Sequence, residues 1–359
     1  MPEILERIGE LLDAAVSGGG IPGAVAIAGQ GPDTLGQWTV GQADARPSRP
    51  MRTDTVFDLA SLTKVVATAT VTLALAGRGE LGLGDPVADY LPGFAACRDA
   101  GVTVAHLLTH TSGLPGSRQF YRWCGSRPDL LGDLFQTPLE VPPGSRVRYS
   151  DPGFITLGEV VAAVAGEPLD AAVRRLVTGP LGLASVVFRP NGPAHRFAAT
   201  EPRGDGSAWV GVVHDENARL MGGVAGHAGL FATAPDLARF AAWWVSEDDT
   251  AVPAGLRRAA TACQTGGVGQ TRGAGQASGR RGYGWTCAGD AFDFLRGHWP
   301  PTAVSHTGFT GTSLALDPAT GRWLVLLTNA VHFGRDATAV QALRRAVHAV
   351  PWGITSRTA

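Results

Sequence analysis

Apolar residues recur at helical spacing along the first sixteen positions, as Ile4, Leu5, Ile8, Leu11, Leu12 and Ala15, with acids between them. One apolar side and one charged side predict an amphipathic surface helix there. The periodicity then changes. "GAVAIAGQ" (23–30) and "QWTVGQADA" (37–45) predict two neighbouring strands. "SLTKVVATATVTLALAG" (61–77) predicts a helix, ended by Gly77 and Gly79. Short helices and turns follow in "GDPVADYLPGF" (84–94) and "VAHLLTHTSGL" (104–114). Beyond the Pro-Pro-Gly turn at 142–144, "FITLGEVVAAVAG" (154–166) and "LDAAVRRLVTG" (169–179) predict a helical pair.

Thr233, followed by Pro235 and Asp236, reads as a capping box opening the helix "DLARFAAWWV" (236–245). Gly, Gln and Arg dominate 265–283 and no face there could be buried, which predicts a mobile surface loop. "TSLALDP" (312–318) and "RWLVLLTNA" (322–330) predict a hairpin, and a closing helix covers 336–349 with Val340, Leu343 and Val347 on one side. Strands at both ends with helices between them predict an α+β fold. Its sheet domain is built from 1–80 and 200–359, with 81–199 as a mainly helical insertion.

Composition narrows the function classes. The chain has 359 residues, 44% of them hydrophobic, and 30 basic against 31 acidic side chains, a net charge of −1. Nothing in that balance favours a nucleic-acid or anionic-membrane partner. The N-terminus lacks the basic start and unbroken apolar stretch of a secretory signal, and no apolar run reaches about 18 residues. The expectation is a cytoplasmic protein without a membrane partner. Cys97, Cys124, Cys263 and Cys287 form no C-x-x-C pair, so free structural thiols are expected, with one disulfide as the alternative. Nine histidines include no H-E-x-x-H, and the adjacent His214, Asp215 and Glu216 of "VHDENA" seldom point at one ion, so no metal is expected. No G-x-x-x-x-G-K-[ST] occurs, no G-x-G-x-x-G joins a strand to a helix, and no cofactor is implied.

The candidate chemistry begins at "FDLASLTK" (57–64). Ser61 and Lys64 are three residues apart, one helical turn, and can converge on one face. A serine hydroxyl needs a proton acceptor before it attacks, and a lysine supplies one only when burial or neighbouring positive charge lowers its pKa. S-x-x-K alone is common. Here "RVRYSDPG" adds Tyr149, Ser150 and Asp151 in a turn before a helix, and "SHTGFTGTSLALDP" adds His306, Thr307 and Gly308 before a strand.

In this order the three segments resemble the active-site elements of the serine beta-lactamase and penicillin-recognising family, nearest its class C and esterase-like branch. "LLTHTSGLP" (107–115) and "GGVAGHAGLFATAPDLARF" (222–240) extend the resemblance from about 15 to 350. It implies a beta-lactamase/transpeptidase-like fold, with an antiparallel sheet flanked by helices, a mainly helical domain and the active site between them. It also implies Ser61 as acylated nucleophile, Lys64 as general-base partner and Tyr149 as proton relay. The backbone N–H groups of Ser61 and Phe309 would form the oxyanion hole, and Asp151, His306, Thr307 and Gly308 would contact substrate.

Two departures bear on substrate. His306 stands where the family has lysine, and an unperturbed histidine is mostly uncharged at neutral pH. Asp151 stands where Asn is common; it cannot donate as an amide does, and its charge repels a carboxylate. Both disfavour beta-lactam hydrolysis and favour a neutral ester, or an amide without the usual carboxylate. Structural readings stay open: Asp151 as a helix cap, His306 as a packed strand residue, His110 and His227 as braces of turns. The expected function is a serine hydrolase of small carboxylic esters. Acyl transfer from an ester or amide to an amine or alcohol is the alternative, followed by a D-amino-acid peptidase or penicillin-binding activity.

Overall fold

The structure, a computed structural model, describes residues 2–266 and 279–351. The middle of the loop expected at 265–283 therefore lies outside the described residues. Its flanks are tied down, because Thr265 Oγ1 donates to the Gly279 carbonyl and accepts from the Arg281 N–H.

Seven strands make one sheet in the order Ser48–Pro50, Asp33–Ala45, Gly23–Gln30, Arg322–Thr328, Ser313–Asp317, Val304–Thr307 and Thr286–Cys287. Every pairing is antiparallel, and the two halves of the chain meet where Gly23–Gln30 pairs with Arg322–Thr328. Alternation along these strands explains the layers. Ala24, Ala26 and Ala28 face one way with Leu324 and Leu326, and their small side chains pack with Ile8, Leu12, Val340, Leu343 and Val347 of the two terminal helices. Val25, Ile27, Val325 and Leu327 face the other way, into the main core with the helix Ala234–Trp244. That core runs on without a break through Leu62–Leu75 to Phe154–Val161 of the helix Asp151–Ala165, so the sheet and the helical middle share one apolar interior.

Against the expectation of no apolar run near 18 residues, Ala60–Gly77 has the length and apolarity of a membrane span, and 83% of it is buried inside this core. The helix expected at 236–245 is present, but its cap differs from the sequence reading. Thr233 makes no side-chain cap bond. Its hydroxyl and the Asp236 carboxylate both bond Ser185 instead, holding the short strand Val187–Phe188 in place. The four cysteines are free thiols.

Candidate active site

Strand Val56–Asp58 pairs with Leu230–Thr233 and leads into Ala60, whose φ of +46° is left-handed, a costly conformation for a residue with a Cβ. Asp58 holds this bend. Its Oδ1 accepts from the Ala60 N–H at 2.9 Å and its Oδ2 from the His214 N–H at 2.6 Å. Burial pushes the Asp58 carboxyl up, against the pull of these amides. The chain then winds as a 3-10 turn, Ala60–Leu62, a π-helical stretch, Lys64–Ala69, and an α-helix, Thr70–Gly77. Such π segments recur at functional sites because they re-aim side chains within a helix.

Lys64 is wholly buried. Its Nζ lies 3.1 Å from Ser61 Oγ, donates to the His227 carbonyl at 3.0 Å, pairs with Asp151 Oδ1 at 2.8 Å, and stands 4.8 Å from the centre of the Tyr149 ring. Ser61 is therefore a partner of Lys64 and caps nothing. Burial pulls the Lys64 amine down, but Asp151 and then Tyr149 outweigh it and hold the amine above its usual 10.5. The lowered lysine expected from the sequence is thus reversed, and the cause is Asp151. Burial, opposed by Lys64, also raises the Tyr149 phenol above 10.0. Both directions favour an ammonium at Lys64 and a neutral phenol at Tyr149.

The helix cap after Tyr149 is Ser150, not Asp151: Ser150 Oγ accepts from the Gly153 N–H at 3.0 Å and donates to the Pro115 carbonyl at 2.6 Å. Asp151 is the first residue of the helix and spends its carboxylate on Lys64. His110 fixes Tyr149. Its Nδ1 accepts the Ser150 N–H at 3.0 Å, which leaves the proton on Nε2, and its ring lies 4.6 Å from the tyrosine ring.

Across the cleft, strand Val304–Thr307 carries a buried His306. Its Nδ1 bonds the Thr307 carbonyl at 2.9 Å and so carries the proton. Burial, then the charges of Lys64 and Arg281, keep the ring neutral far below 6.5, so this strand position supplies no positive charge. Gly308 is required by space, since a Cβ there would lie 2.2 Å from Thr312 Oγ1 and 2.4 Å from the Leu59 carbonyl. That close approach brings the Phe309 backbone to the start of the helical segment that carries Ser61. The Phe309 ring itself is 54% exposed and stacks on His214 at 5.6 Å.

A cavity of about 310 Å³ opens on Ser61, walled by Tyr149, Arg281, Phe292, His306, Thr307 and Arg344 among others. Arg281 is paired with Asp290 at 3.0 Å. Arg344 differs. Its Nη2 donates to the Gly308 and Thr312 carbonyls at 2.6 and 2.9 Å, burial pulls its pKa to about 10, and no carboxylate among the described residues pairs with it. A smaller cavity of about 130 Å³ lies beside Phe309, with His214, Asp215 and Glu216 on its wall. Those three side chains have separate partners, Glu201, His227 and Arg335, and do not converge on one point. A larger hollow of about 540 Å³ near Arg127 and Arg189 has none of the candidate site residues on its wall, and contact with Ser61 and Tyr149 decides for the smaller cavity.

The structure thus brings Ser61, Lys64, Tyr149, Asp151, His306, Thr307, Gly308 and Phe309 together. Sequence reasoning missed Arg344, Arg281, Phe292 and Asp58. The expected closing helix could have pointed to Arg344, because that position shares the face of Val340, Leu343 and Val347, where an arginine is costly to bury. The aromatic and basic segment 118–125 stays off the cavity: Phe120 is buried elsewhere and Trp123 is exposed.

The chain is similar to known proteins over most of its length. A family model described as Beta-lactamase matches residues 8–349. A putative D-alanyl-D-alanine carboxypeptidase of Escherichia coli (strain K12) is 32% identical over 314 residues, covering 78% of this chain and 70% of that protein. An N-acetylmuramyl-L-alanine amidase of Bacillus subtilis (strain 168) is 32% identical over 325 residues, covering 80% and 70%. Among solved structures, EstCE1, described as a hydrolase with promiscuous acyltransferase activity, superposes with a TM-score of 0.78 at 24% identity, covering 97% of this chain and 99% of its own. Simvastatin synthase of Aspergillus terreus reaches 0.75 at 19% identity, covering 98% and 97%. At these identities the two structures speak for the fold.

Proposed function

The chain belongs to the beta-lactamase family, and from that premise we propose that it cleaves an amide or ester through an acyl-enzyme on Ser61, with a leaving group that carries a carboxylate. The observation that carries the reading is the 3.1 Å contact between Ser61 Oγ and the buried Lys64 Nζ, beside Tyr149 at the edge of a cavity. Ser61 Oγ attacks the acyl carbon as its proton moves into the Lys64–Tyr149–Asp151 cluster. The oxyanion develops against the Ser61 and Phe309 N–H groups. The cluster returns the proton to the leaving atom, and water then resolves the ester.

His306 argued for a neutral substrate. Arg344 restores the missing positive charge in the same cavity, and this supports a carboxylate on the leaving side. The names of the two relatives, a carboxypeptidase and an amidase, support amide cleavage over small esters. The test compares N-acyl dipeptides with a free C-terminal carboxylate against their C-terminal amides, reading kcat/KM. A preference of about tenfold or more for the carboxylate is expected from one desolvated charge-assisted pair. Equal rates contradict the leaving-group assignment. Adding small amines to the same assay reads out acyl transfer, the second outcome, which the description of EstCE1 supports.

A further inference from the structure

Resting on that reading, we infer that Asp151 stores the serine proton: Lys64 takes the Ser61 proton only by passing one of its own to Asp151 Oδ1. An ammonium has no lone pair, and at rest neither Lys64 nor the Tyr149 phenol can accept a proton without losing one. The Asp151 carboxylate is the acceptor joined to Ser61 through one atom: Lys64 Nζ lies 3.1 Å from the hydroxyl and in ion-pair contact with Oδ1 at 2.8 Å, a buried oxygen that takes no hydrogen bond in the resting geometry and so keeps its lone pairs unused. Its place is fixed from both sides. The Asp151 N–H donates to the Gly116 carbonyl at 2.9 Å, and the residue begins a 15-residue helix.

The step balances. The Ser61 Oγ–carbon bond forms, the serine proton moves to Lys64 Nζ, and a Lys64 proton moves to Asp151 Oδ1. When the bond from carbon to the leaving atom breaks, a proton returns through Lys64 and Tyr149 to that atom. Lys64 is then again an ammonium and Asp151 a carboxylate.

The other titratable or charged groups around this pair are Tyr149, His110, His306, Arg281 and the Asp215–His227 pair. His110 presents an N–H, while His306 has an unprotonated Nε2, buried without a partner, on a ring 6.0 Å from that of Tyr149. His306 is therefore the competing store. Asp151 acts through Lys64, so its signature is a pH profile as well as a rate.

The experiment measures acetylation of Ser61 by p-nitrophenyl acetate from pH 4 to 10 in the wild type, Asp151→Asn, Asp151→Glu and His306→Gln, with melting curves for each. The wild type sets the reference position of the acid limb. Asp151→Asn moves that limb up by several pH units, because the amine must then lose its own proton, and slows acetylation about 100-fold or more at pH 7. Asp151→Glu brings the acid limb back down. A limb that stays in place in folded Asp151→Asn, or one that moves with His306→Gln instead, overturns the inference alone. A wild type that takes no acetyl group on Ser61 overturns the underlying reading as well.

Discussion

Thr310 donates its hydroxyl to the Asp58 carbonyl at 2.8 Å, across 252 positions of sequence. Thr312 does the same to Leu59 at 3.1 Å, and the backbone of Gly308 fills the space between. These bonds fasten the strand end that carries Phe309 to the bend that delivers Ser61, so the two amides proposed as the oxyanion hole are set by contacts between the two ends of the chain.

Thr310→Val leaves the buried Asp58 carbonyl without its donor and is expected to cost about 1–3 kcal/mol of stability. It should also lower kcat more than it raises KM, because the misplaced amide is needed mainly in the transition state. Chemical denaturation and steady-state kinetics check the two effects separately.

Lys64→Ala removes the group that touches Ser61 and leaves the Asp151 charge without its partner. Acylation should fall by about a thousandfold or more, and stability by about 3 kcal/mol, the scale for breaking a buried pair from one side. Adding Asp151→Asn to the same protein should recover most of the stability and none of the activity. Paired denaturation and acylation measurements distinguish the two.

Stability should fall on mild acidification. Burial holds His110 and His306 well below 6.5 and His348 at about 3, so all three stay neutral in the native state while the unfolded chain protonates them near 6.5. The unfolded state then binds more protons, and stability present above pH 6.5 is lost as pH falls below it. Three such groups give a limiting slope of about 4 kcal/mol per pH unit. Denaturant midpoints between pH 7.5 and 5 measure it; a flat profile contradicts it.

Arg344→Gln should lose about tenfold more kcat/KM on a substrate whose leaving group carries a carboxylate than on a neutral ester. Reading the ratio separates the charge pairing from the bonds Arg344 makes to Gly308 and Thr312.

Much of this molecule was legible in its residues. A short continuous apolar run at Gly23–Gln30 and helical spacing at Thr338–His348 are local properties, and both elements stand where the pattern put them. The three candidate segments were found from motif order, and their convergence follows from the sheet that joins the two chain ends. Pairings over long distances were not legible. Asp151 alone reads as a cap or a repulsive charge, and only the fold places it against Lys64 and reverses the expected direction of the lysine's pKa. Thr233 met every local rule for a capping box, yet Ser185, 48 positions away, competes for its hydroxyl. The π-helical stretch at Lys64–Ala69 has no period of its own to read and comes from tertiary packing.

The central claim is that Ser61 carries the acyl group, and intact-mass measurement after mixing with a short activated ester tests it most directly. The wild type should gain the mass of one acyl group and lose it as the ester is resolved, while Ser61→Ala gains none. Equal labelling of Ser61→Ala would contradict the account.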